Sequence, residues 1–146
     1  AAAFAGLLVW AAMCDVARLR IPNSACLAIV GLFPVFAATA PGGFPWLLAG
    51  VISAALLILG LIAFSHGLMG GGDVKLMSAV ALWAGPERVL DFLFATALAG
   101  GALAVLMTAW LRFALLDHGP MIGRKLPYGV AIGIGAALAV FVPFAV

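Results

Sequence analysis

Long runs of apolar residues alternate along the chain with short segments of glycine, proline and charged residues. Most runs approach the roughly 20 residues that a helix needs to cross a bilayer. The glycines and prolines between them predict turns. This pattern predicts six membrane-spanning helices, at about 1–17, 22–40, 46–64, 73–84, 89–111 and 127–146.

Composition supports the same class of protein. The 146 residues are 67% hydrophobic, with a mean hydropathy of +1.32, whereas soluble domains are about 45–50% apolar. We therefore predict an all-α, polytopic membrane helix bundle in which residues 1–146 form a single domain, with the lipid bilayer as a partner. A net charge of +2 is too small to indicate a nucleic-acid partner. Cys14 and Cys26 form neither a disulfide framework nor a metal site.

Basic residues divide unequally between the two sides of a six-span arrangement. Because cytoplasmic loops carry an excess of Lys and Arg, the more basic side is predicted to be cytoplasmic and both termini to be outside. The other side receives Arg88 alone. The basic residues on the predicted cytoplasmic side are Arg18, Arg20, Lys75, Arg112, Arg124 and Lys125.

Two details of packing follow from residue type. Trp83 and Trp110 are expected to anchor their helices at the membrane interface, where aromatic rings accumulate. The Gly133-Ile134-Gly135 pattern is expected to form a close-packing face between spans.

The most unusual segment is Gly70-Gly71-Gly72-Asp73-Val74-Lys75. An aspartate beside a membrane span is costly and requires a reason, since only 8% of the residues are charged. Glycine lets another backbone or an extended substrate come close. We expect Gly70 and Gly72 to permit such an approach and to adopt unusual backbone dihedrals, with Asp73 as the N-cap of the fourth span.

Asp15 is the natural second carboxylate, because it lies on the same predicted face as Asp73. It falls in the last turn of the first span, where the helix dipole disfavours an anion. The alternative is an interfacial aspartate paired with Arg18 or Arg20. Two adjacent carboxylates can hold one proton between them, so that one activates water and the other protonates a peptide carbonyl. This chemistry requires no metal and no cofactor.

Other polar residues are weaker candidates. His66 precedes Asp73 by seven residues and could shape the site or contact substrate. Lys75 is either a topological and interface charge or a substrate contact. Solvated or structural roles are expected for the remaining candidates, Glu87, Asp91, Asp117 and His118.

Three segments resemble a known family. Gly70-Gly71-Gly72-Asp73 resembles the G-x-G-D signature of intramembrane aspartyl proteases, and its extension through Lys75 resembles bacterial prepilin peptidases. The stretch from Asp15 to Asn23, with basic residues before Ile-Pro-Asn, resembles the first aspartate motif of that family. Lys125-Leu126-Pro127-Tyr128-Gly129-Val130 resembles the start of its last span.

The resemblance implies an aspartic endopeptidase with Asp15 and Asp73 as catalytic residues. It implies prepilin or pseudopilin substrates, cleaved at the cytoplasmic boundary of the bacterial inner membrane. Larger members carry a cytoplasmic domain with two cysteine pairs and are described as also methylating the new amino terminus. This chain resembles the short form of tight-adherence (Flp-type) pili, for which we expect cleavage without methyl transfer. The oligomeric state stays open.

Two other classes of function remain possible from sequence. A small ion- or proton-coupled transporter also places acids in spans and interrupts helices with glycine. However, both acids here fall at one predicted face instead of the bilayer midplane. A non-catalytic assembly subunit would tolerate the loss of either aspartate.

Overall fold

A computed structural model describes residues 2–18, 21–40, 44–114 and 128–141. Across these ranges the regular structure is entirely helical, which confirms the predicted all-α fold. Five helices are described in chain order: α1 (Ala2–Arg18), α2 (Asn23–Thr39), α3 (Trp46–Ser65), α4 (Gly71–Ala114) and α5 (Tyr128–Phe141). Asp117, His118 and the beginning of the Lys125–Val130 motif lie outside the described residues.

Helix α4 contains a sharp break. Gly85 has φ 68° and ψ 179°, a left-handed φ that favours glycine, and Pro86 follows it. A Cβ at Gly85 would lie 2.7 Å from the ring of Phe44, so space as well as backbone angle requires glycine here. The break divides α4 into an N-terminal arm (71–84) and a C-terminal arm (86–114). These arms correspond to the predicted fourth and fifth spans.

The number of spans stays a prediction. Among the described helices, two are long and apolar enough to cross a membrane by length and composition, Trp46–Ser65 and Gly71–Ala109. The second of these contains the break at Gly85. Three shorter apolar helices accompany them, at Ala2–Ala17, Asn23–Thr39 and Gly129–Leu138.

Helix α3 carries the most exposed apolar surface. It follows the predicted third span closely, and most of its large side chains point away from the bundle: Leu47 is 66% exposed and Leu59 is 62% exposed. Monomeric soluble proteins rarely expose a continuous apolar face of this kind. With the overall composition, this face identifies the chain as a membrane protein.

The packed centre of the bundle is aromatic. Trp83, near the end of the N-terminal arm of α4, stacks on Phe4 with ring centroids 4.4 Å apart. Its Nε1–H donates a hydrogen bond to the carbonyl of Ile29 at 2.9 Å. The predicted interfacial role of Trp83 is therefore wrong, because its ring is buried and its polar atom is satisfied inside the protein. The side chain of Trp110 lies outside the described part.

Helix α5 packs closely against its neighbours through glycine. A Cβ at Gly135 would clash with Oγ1 of Thr96 in α4, and a Cβ at Gly133 would lie 3.9 Å from Cβ of Ala12 in α1. The predicted close-packing role of the Gly133-Ile134-Gly135 pattern is confirmed. It seats α5 against both helices that carry the candidate carboxylates.

Candidate active site

The candidate site forms where four helix ends meet. The C-terminal end of α1 brings Asp15, and the N-terminal ends of α2, α4 and α5 lie around it. Helix N-termini carry unpaired N–H groups and a partial positive charge. This end of the bundle is therefore suited to holding carboxylates, and we call it the acidic end.

Asp15 is almost completely enclosed, with 5% of its surface exposed. Its position in the last turn of α1 is unfavourable for an anion because the carbonyl end of the helix points toward it. Helix α5 compensates: the backbone N–H of Gly129 donates a hydrogen bond to Oδ2 of Asp15 at 2.7 Å. Arg20 and the side chain of Arg18 lie outside the described part, so the ion-pair alternative for Asp15 stays open.

Asp73 occupies the third position of α4, two residues after the helix begins at Gly71. The prediction that it is the N-cap is therefore wrong by three residues, because the N–H of Val74 donates to the carbonyl of Gly70 and makes Gly70 the N-cap. Its carboxylate instead reaches back to accept a hydrogen bond from the backbone N–H of Gly70, as the acidic partner of a capping box does. The prediction failed because α4 begins at Gly71, two residues before the start that the apolar run indicated.

The structure brings the two carboxylates together. Asp15 and Asp73 are 58 positions apart in sequence by numbering, yet the charge of Asp15 acts on Asp73 across the acidic end. Adjacent carboxylates resist simultaneous ionisation, so such a pair favours one proton shared between two groups. A shared proton provides both a base for water and an acid for a carbonyl oxygen.

The glycines beside Asp73 lie in tight surroundings. A Cβ at Gly72 would lie 3.3 Å from Cβ and 3.5 Å from the backbone nitrogen of Ile21, and a Cβ at Gly70 would lie 2.6 Å from Oδ2 of Asp73. Close approach is thus observed at both positions. The expected unusual dihedrals are not: the positive φ angles of the described glycines occur at Gly67 and Gly85. Packing, not backbone angle, explains the glycines here.

Lys75 connects the two aspartate segments. Its Nζ donates a hydrogen bond to Oδ1 of Asn23 at 3.1 Å, which joins the Gly70–Lys75 segment to the Ile-Pro-Asn segment that follows Asp15. Both side chains are exposed. Lys75 therefore has an interface contact at the edge of the acidic end, and a substrate contact stays a prediction.

His66 makes its described contacts within α3. Its Nδ1 lies 2.8 Å from the carbonyl oxygen of Ile62 and 3.3 Å from Oγ of Ser65. The ring is exposed and caps its own helix. These contacts account for His66 without the carboxylates, and its site-shaping role stays a prediction.

Gly129 is the participant that the sequence did not single out. The sequence feature that could have indicated it is the four-residue spacing of Gly129 and Gly133, which puts two glycines on one face of α5. Within the described ranges, no group of three or more His, Cys, Asp or Glu side chains is arranged to hold a metal ion. Among the described residues, the acidic end brings together two carboxylates and the backbone N–H groups that donate to them.

Comparison with known proteins agrees with the resemblance carried by the two aspartate motifs. A sequence model described as the type IV leader peptidase family matches residues 2–105, a range that contains both aspartates. The chain belongs to the type IV leader peptidase family. No solved structure shows a significant match to this family member.

One curated relative is named prepilin leader peptidase/N-methyltransferase, from Bacillus subtilis (strain 168). It is 32% identical over 148 aligned positions, which cover 95% of this chain and 54% of the relative. This member of the leader peptidase family thus spans about half the length of that protein. Because the alignment covers 95% of the chain, it includes Gly129 as well as the two aspartates.

Proposed function

We propose that the protein is an aspartyl endopeptidase that cleaves the leader from prepilin-like substrates, with Asp15 and Asp73 as its catalytic residues. The observation that carries the proposal is the placement of these two carboxylates at one end of the bundle, where their charges interact. Family membership supplies the substrate class, since the matching family is one of leader peptidases.

The reaction uses the shared proton. The ionised carboxylate removes a proton from water as the water oxygen bonds to the scissile carbonyl carbon, while the protonated carboxyl gives its proton to the carbonyl oxygen. In the second step the C–N bond breaks. The leaving nitrogen receives the proton taken from water, and a hydroxyl proton of the intermediate returns to the other carboxylate. The N–H groups of Gly70 and Gly129 hold the two carboxylates in place throughout.

The location of the carboxylates fits a substrate that crosses the membrane boundary. Asp15 lies in the last turn of α1 and Asp73 in the first turn of α4, so both belong to helix ends. A basic leader would remain in the cytoplasm while the apolar helix after it stays in lipid. The site would then face the cytoplasm from a multi-pass protein of the bacterial inner membrane.

Cysteine labelling tests this orientation. In a background with Cys14 and Cys26 replaced by alanine, single cysteines at Gly43 and Glu87 should react with an impermeant reagent added outside. A cysteine at Gly119 should react only after the membrane is permeabilised. Outside labelling at Gly119 would invert the topology and put the aspartates on the wrong side for a cytoplasmic leader.

Co-expression with candidate prepilins tests the activity itself. The parent protein should yield a shorter product whose new amino terminus is read by mass spectrometry. Asp15→Asn and Asp73→Asn keep side-chain size and remove the carboxylate, and each should abolish that product while the protein still inserts. The matched control is Asp91→Asn, an exposed acid on the C-terminal arm of α4, which should process within a few-fold of the parent.

The same experiment separates the alternatives. Undiminished processing by Asp15→Asn would remove Asp15 from the mechanism. Absence of processing by the parent with every candidate prepilin would favour the transporter, for which proton-dependent flux in vesicles would be the positive result.

A further inference from the structure

Helix α5 contacts both helices that carry the carboxylates. On one side Gly129 and Gly133, four residues apart, face Asp15 and Ala12 of α1. On the other side Gly135 lies directly against Thr96 of α4. Glycines spaced in this way let helix backbones approach closely inside a membrane. At Gly129, α5 is therefore seated at a distance from α1 that a side chain would not allow.

At Gly129 this approach has a specific consequence. A Cβ there would lie 2.8 Å from Oδ2 of Asp15 and 2.9 Å from both its Cβ and Cγ. Real Cβ atoms essentially never come within 3.0 Å of such atoms, so any larger residue must displace the carboxylate. The hydrogen bond from the Gly129 N–H to Asp15 at 2.7 Å thus depends on glycine.

We propose that Gly129 is a positioning residue for leader cleavage, which holds the Asp15 carboxylate at the distance and direction that water activation requires. This inference rests on the proposed function. Gly129 acts through Asp15, and it lies beyond residues 2–105, the range that the family comparison matches. The second residue of α5 would thereby complete an active site whose two carboxylates lie on α1 and α4.

The expected size of the effect follows from how sensitive such chemistry is to geometry. Catalytic groups need to lie within about 0.5 Å of their productive position. Restoring ordinary contact around a new Cβ would move the Asp15 carboxylate by a comparable distance. A displacement of about 1 Å can cost on the order of 100-fold in rate. We therefore expect Gly129→Ala to lower the rate of the chemical step by about 10- to 100-fold.

Gly133→Ala is the matched control. It adds the same methyl group to the same face of α5, and its Cβ would meet Cβ of Ala12 at an ordinary 3.9 Å. Both variants are compared with the parent in single-turnover cleavage of a prepilin. Titration with a prepilin that cannot be cleaved measures the fraction of protein molecules that bind substrate and their affinity. Gly129→Ala should bind with parent stoichiometry and affinity, cleave slowly, and show an altered pH dependence, whereas Gly133→Ala should match the parent in all three.

A second measurement does not depend on activity. The chain has 18 glycines, so ¹⁵N-glycine labelling in nanodiscs gives a small set of amide signals, and Gly129→Ala and Gly133→Ala identify two of them. Asp15→Asn should shift the Gly129 amide proton strongly and leave that of Gly133 nearly unchanged. An unmoved Gly129 signal would disprove the contact.

The outcomes are distinguishable. Parent-like cleavage by Gly129→Ala, or equal losses in Gly129→Ala and Gly133→Ala, would overturn the positioning role. Failure of the parent to cleave any prepilin would instead overturn the proposed function, and the amide measurement would still decide whether Gly129 holds Asp15.

Discussion

The two ends of the N-terminal arm of α4 are surrounded by different types of residue. Asp73 lies at one end among glycines and backbone donors, and Trp83 lies at the other among aromatic rings. Ten residues of helix separate them by about 15 Å. We call the second region the aromatic end; its rings are Phe4, Phe33, Phe36, Phe44 and Trp83.

The aromatic end contributes stability to the fold, whereas the acidic end positions the two carboxylates. At the aromatic end large side chains bury apolar area and contact one another, as in the stacking of Phe36 on Trp83 at 4.8 Å, which stabilises the fold. At the acidic end small residues allow backbone atoms to reach carboxylates, as Gly129 reaches Asp15. Substitutions at the aromatic end should therefore affect stability more than chemistry. Substitutions at the acidic end should do the reverse.

The largest effect on stability is expected from Trp83→Ala. It removes a buried ring and the hydrogen bond that this ring donates to the carbonyl of Ile29. We expect a loss of about 3–5 kcal/mol in the free energy of unfolding, which is typical of aromatic truncation in a core. Unfolding in mixed micelles measures it, and cleavage per folded molecule should remain near the parent value.

Trp10→Ala is the control for that prediction, because Trp10 is 43% exposed and its loss should cost less than about 1 kcal/mol. Equal destabilisation by both changes would mean that the aromatic end does not carry the stability attributed to it.

Gly72→Val should mainly reduce activity. Its side chain would be forced against Ile21, which is buried and whose backbone is restricted by the proline after it. We expect a loss of about 10-fold or more in cleavage, equivalent to about 1.4 kcal/mol in the barrier. Gly71→Ala is the comparison, because its Cβ would meet only the exposed ring of Phe64 at 3.3 Å, and that ring can move aside. Equal activity in the two variants would show that close packing at Gly72 is dispensable.

The acidic end and the aromatic end also show which features of the structure can be predicted from the sequence. Apolar runs predicted α3 nearly residue for residue and the turn at Gly85, since hydrophobic length and Gly-Pro pairs are local signals. The two aspartate motifs singled out Asp15 and Asp73, which lie at the same end of the bundle, and their catalytic role stays a prediction. The burial of Trp83 was missed because interfacial and core tryptophans look alike in an apolar run. The part played by Gly129 was missed because the spacing of Gly129 and Gly133 indicates a close-packing face of α5 without specifying that this face meets Asp15 of α1.

A small effect is expected from breaking the link between Lys75 and Asn23. Both side chains are exposed, so water replaces much of what the hydrogen bond supplies. Lys75→Met and Asn23→Ala should each change stability by less than about 1 kcal/mol and cleavage by less than about five-fold. A double-mutant cycle should give a coupling near 0.5 kcal/mol. Coupling of several kcal/mol, or a large rise in KM for Lys75→Met alone, would instead indicate that Lys75 binds substrate.

The most direct test of the central claim is whether Asp15 and Asp73 act as one unit. Single-turnover cleavage of a prepilin is measured for the parent, Asp15→Asn, Asp73→Asn and the double replacement, with equal amounts of inserted protein. Groups that work as a unit are strongly non-additive, so each single change should reduce the rate on the order of 1,000-fold or more and the second should add almost nothing. A double variant slower than either single by the product of their separate losses would contradict a shared catalytic pair, as would either single variant that cleaves at the parent rate.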